Sequence, residues 1–181
     1  MSDVVLRPAT AADAPALAAI YGHHVTHGLG TFDLTPPSAE TMAERMAGIL
    51  AHGLPYLVAE LDGRIAGYAY AGVFRPRAGY AHTVEDSVYI APDAVGRGLG
   101  KTLLSRVIAD CEAMGLRQMI ACVGDSGNAA SIGLHKSLGF THSGTVEAAG
   151  FKHGRWVDIV FMRRPLGAGE TIPPVGPGLS F

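Results

Sequence analysis

The sequence predicts an α/β (α+β) domain over residues 1–165, followed by a Pro/Gly-rich tail over 166–181. Three stretches carry that expectation. Ser87–Leu104 opens with the β-branched and aromatic run Val88, Tyr89, Ile90, stops at Pro92-Asp93, passes Gly96, Gly98 and Gly100, and enters residues at helical spacing. Asp62-Gly63 joins two apolar runs, 56–61 and 65–73, as a hairpin turn does. Leu103, Leu104, Val107, Ile108 and Cys111 keep a 3.6-residue period until Gly115 ends the helix.

The remaining elements follow in order. Val4-Val5-Leu6 before Pro8 reads as a first strand, and Thr10-Ala-Ala-Asp13 as a capping-box variant opening a helix to about Val25. A second helix begins after Pro36-Pro37-Ser38, with Met42, Met46, Ile49 and Leu50 as its apolar face. Residues 74–80 form a loop and 82–90 a strand. After Gly115 come a buried strand at 119–123 and a helix through NAASIGLHKSLGF, whose core face is expected to be Ile132, Leu134 and Leu138. Residues 146–149 and 156–162 pair as a last hairpin across Lys152-His-Gly154. The tail carries no core pattern, so packing on the domain surface is expected to order it.

Composition narrows the function classes. A chain of 181 residues, 48% hydrophobic and 17% charged, is long enough for one domain with a sizeable core. A formal charge of -2 without a basic block predicts no nucleic-acid and no anionic-membrane partner. No apolar run approaches the roughly 20 residues that span a bilayer, and Asp3 stands where a signal peptide is basic, so a cytoplasmic protein is expected. Cys111 and Cys122 are expected to be buried thiols. His23 and His27, four apart, have no evident third ligand, so a solvated helix end and no metal are expected.

The glycine turn suits an anion, because first-turn amides are unpaired and the helix dipole is positive there. Residues 95–101 therefore read as a phosphate cradle. A P-loop would need glycine at position 95, where Val95 stands, although Gly100-Lys101-Thr102 fits its end. A dinucleotide fold fits less well, since the glycines run G-x-G-x-G and the next strand ends Cys122-Val123-Gly124.

Val95-Gly96-Arg97-Gly98-Leu99-Gly100 resembles the acetyl-CoA motif [QR]-x-x-G-x-[GA] of the GNAT superfamily of N-acetyltransferases, with Val95 in place of Gln or Arg. Asn128-x-x-Ser131-x-x-Leu134-His135-x-x-x-Gly139-Phe140 resembles a late motif of the same superfamily, with His135 where tyrosine is usual. Histidine there is similar to the phosphinothricin N-acetyltransferase group. So are Arg77-Ala-Gly-Tyr80-Ala-His-Thr83-Val84-Glu85-Asp-Ser87-Val88-Tyr89 and Gly150-Phe151-Lys152-His-Gly154-Arg-Trp156.

The resemblance covers about residues 4–163 and implies an acyl-CoA N-acyltransferase fold: a central mixed, mostly antiparallel sheet flanked by helices. It implies acetyl-CoA as co-substrate, held by Val88, Tyr89, Ile90, Val95, Gly96, Arg97, Gly98, Leu99, Gly100, Lys101, Asn128 and Ser131. It also implies a homodimer, and as acceptor the primary amine of a small amino acid or analogue such as phosphinothricin, methionine sulfoximine or methionine sulfone. An ammonium of pKa about 10.4 must lose its proton before attack, at a cost of about 4.6 kcal/mol near pH 7. Glu85 is the expected general base, and His135 the group expected near the departing thiolate. Asp86 should face the other side of its strand. Arg75 and Arg77 suit an anionic acceptor group, with Phe32, Tyr80 and Trp156 lining its pocket. Two other readings stay open: a non-catalytic acyl-CoA sensor and a P-loop nucleotide-binding protein using Lys101 and Thr102.

Overall fold

A computed structural model describes residues 4–181; Asp3, on which the signal-peptide expectation bears, lies outside the described residues. The elements run β1 (Val4–Pro8), α1 (Ala14–His27), α2 (Ala39–Ala51), β2 (Tyr56–Leu61), β3 (Arg64–Val73), β4 (Thr83–Ile90), α3 (Leu99–Ala113), β5 (Gln118–Gly124), α4 (Ala129–Ser137), β6 (Thr141–Lys152) and β7 (Arg155–Pro165). The strands form one sheet in the order β1-β2-β3-β4-β5-β7-β6. Every pairing is antiparallel except β4 with β5.

Alternation along β4 divides the sheet into two faces. Tyr89 meets Tyr21 of α1 edge-on at 5.0 Å, so Glu85, Ser87 and Tyr89 face the α1–α2 side. Val88 and Ile90 approach Gly100 of α3, so Asp86, Val88 and Ile90 face α3 and α4. Leu17, Val25 and Met46 on the first side, and Leu103, Leu104 and Val107 on the second, are buried against the central strands. A stack of Tyr56, Tyr68 and Tyr70, with Tyr21 and Tyr89 beside it, fills the first side.

Some elements differ from the sequence reading. Helix α1 runs two residues past Val25 to His27, and the last hairpin uses long strands, 141–152 and 155–165. In α4, Ile132, Leu134 and Leu138 are only partly buried, whereas His135 is 3% exposed. A polar residue takes the innermost place because Asp86 waits there as its partner. The capping expectation at Thr10 has a fuller basis than its spacing: Asp13 accepts from Thr10 N at 2.8 Å and from both guanidinium ends of Arg7 at 2.8 Å, while Arg7 also reaches Glu60. The tail crosses back over the domain, burying Leu166 and Leu179, with Leu179 N donating to Ala81 O at 2.7 Å.

The fork of Arg7 holds the Asp13 carboxyl down at about 2, against burial. A depressed carboxylate pKa stabilises the fold above the unfolded value, near 3.8, and that stabilisation is lost as pH falls toward 2. Asp13→Asn should cost about 2 kcal/mol at neutral pH and almost nothing at pH 2. Urea unfolding of both proteins across that range measures the difference.

Candidate active site

β4 and β5 pair only from Thr83–Asp86 against Gln118–Ala121 and then part. Beyond that point β5 keeps β7 as its partner through Gly124, and β4 keeps β3 through Ile90. The facing edge of Ser87–Ile90 has no strand beside it, and unpaired main-chain groups there can receive an extended ligand.

The gap opens into a cavity of about 370 Å³ that ends at the α3 N-terminus. Val88, Tyr89 and Ile90 line one wall. Val95, Gly96, Gly98, Leu99, Gly100 and Lys101 form its end, and Asn128 and Ser131 stand opposite. Gly98 caps α3 at φ 78° and Gly96 precedes it at φ 82°, a left-handed geometry that favours glycine. The first helical bond is Thr102 N to Gly98 O at 3.1 Å, which leaves the amides of Leu99, Gly100 and Lys101 free for an anion. Arg97 is exposed and does not line the cavity. Thr102 Oγ1 donates to Gly98 O at 3.2 Å, so the hydroxyl a P-loop would give to a metal is turned back into the helix.

Sequence reasoning missed two wall residues from α1 and the loop after it. His24 donates from Nε2 to Ile90 O at 2.9 Å, and burial lowers its pKa. Gly30 lines both this cavity and a smaller one of about 60 Å³ at the vertex of the gap. Neither residue carries a local signal, because both reach the site only through the packing of α1 on β4.

Glu85 is half-buried near the vertex, on the α1–α2 face. Burial pushes its pKa up, and the charge of Asp86 adds to this; a hydrogen bond from the Cys122 thiol and the charge of Arg75 oppose it. The Cys122 thiol, itself pushed up to about 12 mainly by burial, is protonated at neutral pH and acts as donor. Arg75, Arg77 and Tyr80 surround an open hollow of about 400 Å³ on the loop after β3.

His135 occupies the other face. Its Nδ1 meets Ser131 O at 2.7 Å and its Nε2 meets Asp86 Oδ2 at 3.0 Å. Both partners are acceptors, so both ring nitrogens carry hydrogen. Burial works to lower its pKa, but the hydrogen bond and charge of Asp86, with the Ser131 carbonyl, outweigh it and raise the value. His135, expected near the departing thiolate, lines the small cavity at the vertex with Asp86 and Ser131, and its ring nitrogens are engaged by those two residues.

Trp156 is also displaced from its expected place. Gly150 faces Phe32, because a β-carbon there would overlap the Phe32 ring. Phe151 points the opposite way and meets its cross-strand partner Trp156 at 5.4 Å, where Trp156 is 63% exposed. Phe32 and Trp156 therefore lie on opposite faces of the hairpin and do not share a pocket within one chain. Among the described residues no group of three or more His, Cys, Asp or Glu side chains could hold a metal, and the rings of His23 and His27 stack at 4.5 Å. No helix among them is long and apolar enough to cross a membrane.

Comparison with known proteins places these features in a wider setting. Residues 27–140 match the acetyltransferase (GNAT) family. A phosphinothricin N-acetyltransferase of Alcaligenes faecalis is 56% identical over 90% of this chain and 82% of its own length. An L-methionine sulfoximine/L-methionine sulfone acetyltransferase of Pseudomonas paraeruginosa is 42% identical over 93% of this chain and 98% of its own. Among solved structures, a GNAT superfamily phosphinothricin acetyltransferase from Sinorhizobium meliloti, crystallised with AcCoA, superposes with a TM-score of 0.92. It is 47% identical and covers 95% of this chain and 93% of its own.

The buried pair predicts a pH signature. A raised histidine pKa stabilises the fold below its unfolded value, about 6.5, and that contribution fades as pH rises through the folded value. His135→Asn should cost about 3 kcal/mol at pH 6, because it leaves Asp86 buried without its cation. The gap between the two proteins in urea unfolding should narrow as pH is raised.

Proposed function

Because the chain belongs to the acetyltransferase (GNAT) family, we propose that it transfers acetyl from acetyl-CoA to the primary amine of a small amino acid or analogue of the phosphinothricin or methionine sulfoximine type. The observation that carries this reading is the gap between β4 and β5, whose cavity ends at the free α3 amides, with Glu85 one residue before its vertex on the α1–α2 side of the sheet. The residues present fit acetyl-CoA: free first-turn amides for the pyrophosphate and an unpaired strand edge for the pantetheine arm. The co-substrate supplies an acyl carbon activated as a thioester.

Glu85 takes the proton of the acceptor ammonium. The neutral nitrogen then forms its bond to the acyl carbon as the carbon–sulfur bond breaks; the nitrogen gives up its second proton to solvent, and the departing thiolate takes one up. A base must be ionised yet basic enough to accept a proton, which favours a carboxylate whose pKa burial has raised. Arg75 and Arg77 supply positive charge beside the acceptor, with Phe32 and Tyr80 as its apolar neighbours. Trp156 has no part in this pocket within one chain, and Asp86–His135 supports the site from behind. The family resemblance makes a cytosolic homodimer the expected setting.

Two measurements test the reading. Gly98→Val should raise the acetyl-CoA dissociation constant strongly in calorimetry by straining the cap, and Lys101→Ala should do so far less, since the lysine adds only charge. Equal losses, with ATP binding by the unaltered protein, would point to a nucleotide site. Glu85→Gln should lower kcat about 10²- to 10⁴-fold near pH 7 and keep acetyl-CoA affinity. The deficit should shrink at alkaline pH, where the amine is already neutral; an unchanged kcat with chemistry rate-limiting would remove Glu85 as the base.

A further inference from the structure

The loop between α1 and α2 crosses the mouth where β4 and β5 part, and Gly30 lines both cavities there. Its seat is the end of β6. Gly150 and Lys152 are two residues apart on that strand and so share a face. The Phe32 ring occupies the space a β-carbon at Gly150 would need, and Lys152 Nζ donates to Thr31 O at 2.7 Å. From the other direction Tyr21 holds Thr31 Oγ1 at 2.6 Å and Asp33 at 3.0 Å, while Arg45 holds Asp33 at 2.9 Å.

Lys152 is 2% exposed. Burying an ammonium carries a desolvation cost of several kcal/mol, and an unbranched apolar side chain would fill the same volume without it. What the ammonium adds is a directed bond to one carbonyl of a segment that has no regular structure of its own. Asp33, two residues along that segment, opposes the effect of burial on the lysine.

We infer that Gly150 and Lys152 are positioning residues for acceptor binding: they fix Phe32 and Thr31, and so make the α1–α2 loop a preformed wall of the acceptor site. The inference rests on the proposed reading of that face as the acceptor side. It also accounts for the spacing of the Gly150–Trp156 stretch. Gly150 and Lys152 seat the loop, His153 (φ 49°) and Gly154 (φ 75°) make the turn, and Phe151 with Trp156 pairs across the opposite face.

Lys152→Met and, as a milder variant, Gly150→Ala test this in the full chain, with methionine sulfone and phosphinothricin as acceptors. Each should raise the acceptor KM about tenfold and leave the KM for acetyl-CoA within about twofold. In a Phe32→Ala background Lys152→Met should add less than about twofold, because its effect passes through Phe32. Deuterium uptake over residues 28–33, measured without substrate, should rise in Lys152→Met. An unchanged acceptor KM in both variants, or full additivity with Phe32→Ala, overturns the assignment. If the unaltered protein acetylates neither amine, the acceptor reading fails on its own, and the uptake measurement still decides whether Lys152 seats the loop.

Discussion

The parting of β4 and β5 is the constraint on which the rest of the site depends. Each strand keeps one partner, so the sheet remains continuous through the vertex at Asp86 and Ala121 while an open wedge is left beyond it. Main-chain groups facing such a wedge must find partners, and the protein fills only part of it. His24 takes the Ile90 carbonyl from the α1 side, and Asn128 stands at the opposite wall, its side chain accepting from Ser131 N at 3.1 Å to cap α4. What remains matches an elongated ligand that carries an anion at one end and polar amides along its length.

Buried polar pairs keep the wedge at its width. His135 ties α4 to β4 at the vertex, so the helix that forms one wall is fixed to the strand that forms the other. Lys152 does the corresponding work on the opposite face, tying the α1–α2 loop to β6. Removing one member of such a pair strands the other without compensation, which makes the two contacts steep determinants of geometry. An apolar contact tolerates sliding more readily than a directed hydrogen bond.

The parts of this arrangement legible in the sequence are the local ones. Strand, glycine turn and helix start lie within residues 87–104, so the cradle could be read from spacing alone, as could the hairpin at Asp62-Gly63. The mixed sheet and its flanking helices followed from the order of the elements and the motif resemblance. Contacts between distant segments were not legible: His24 with Ile90, Asp86 with His135 and Thr31 with Lys152 join residues separated by most of an element or more. Trp156 shows the same gap in small form. It was expected to line the acceptor pocket with Phe32 and Tyr80, but strand alternation turns it to the face away from Phe32.

That alternation also puts two adjacent carboxylates in different surroundings. Asp86 faces α4, where its Oδ2 is committed to His135 and the residue is 6% exposed. Glu85 faces the α1–α2 side of the sheet, is only half-buried, and has the Cys122 thiol as a weak influence against burial. A strong cationic partner would hold the Glu85 proton affinity down; a thiol leaves burial as the larger influence, and the affinity rises. One residue of offset along β4 thus separates a carboxylate bound to His135 from one whose pKa burial raises.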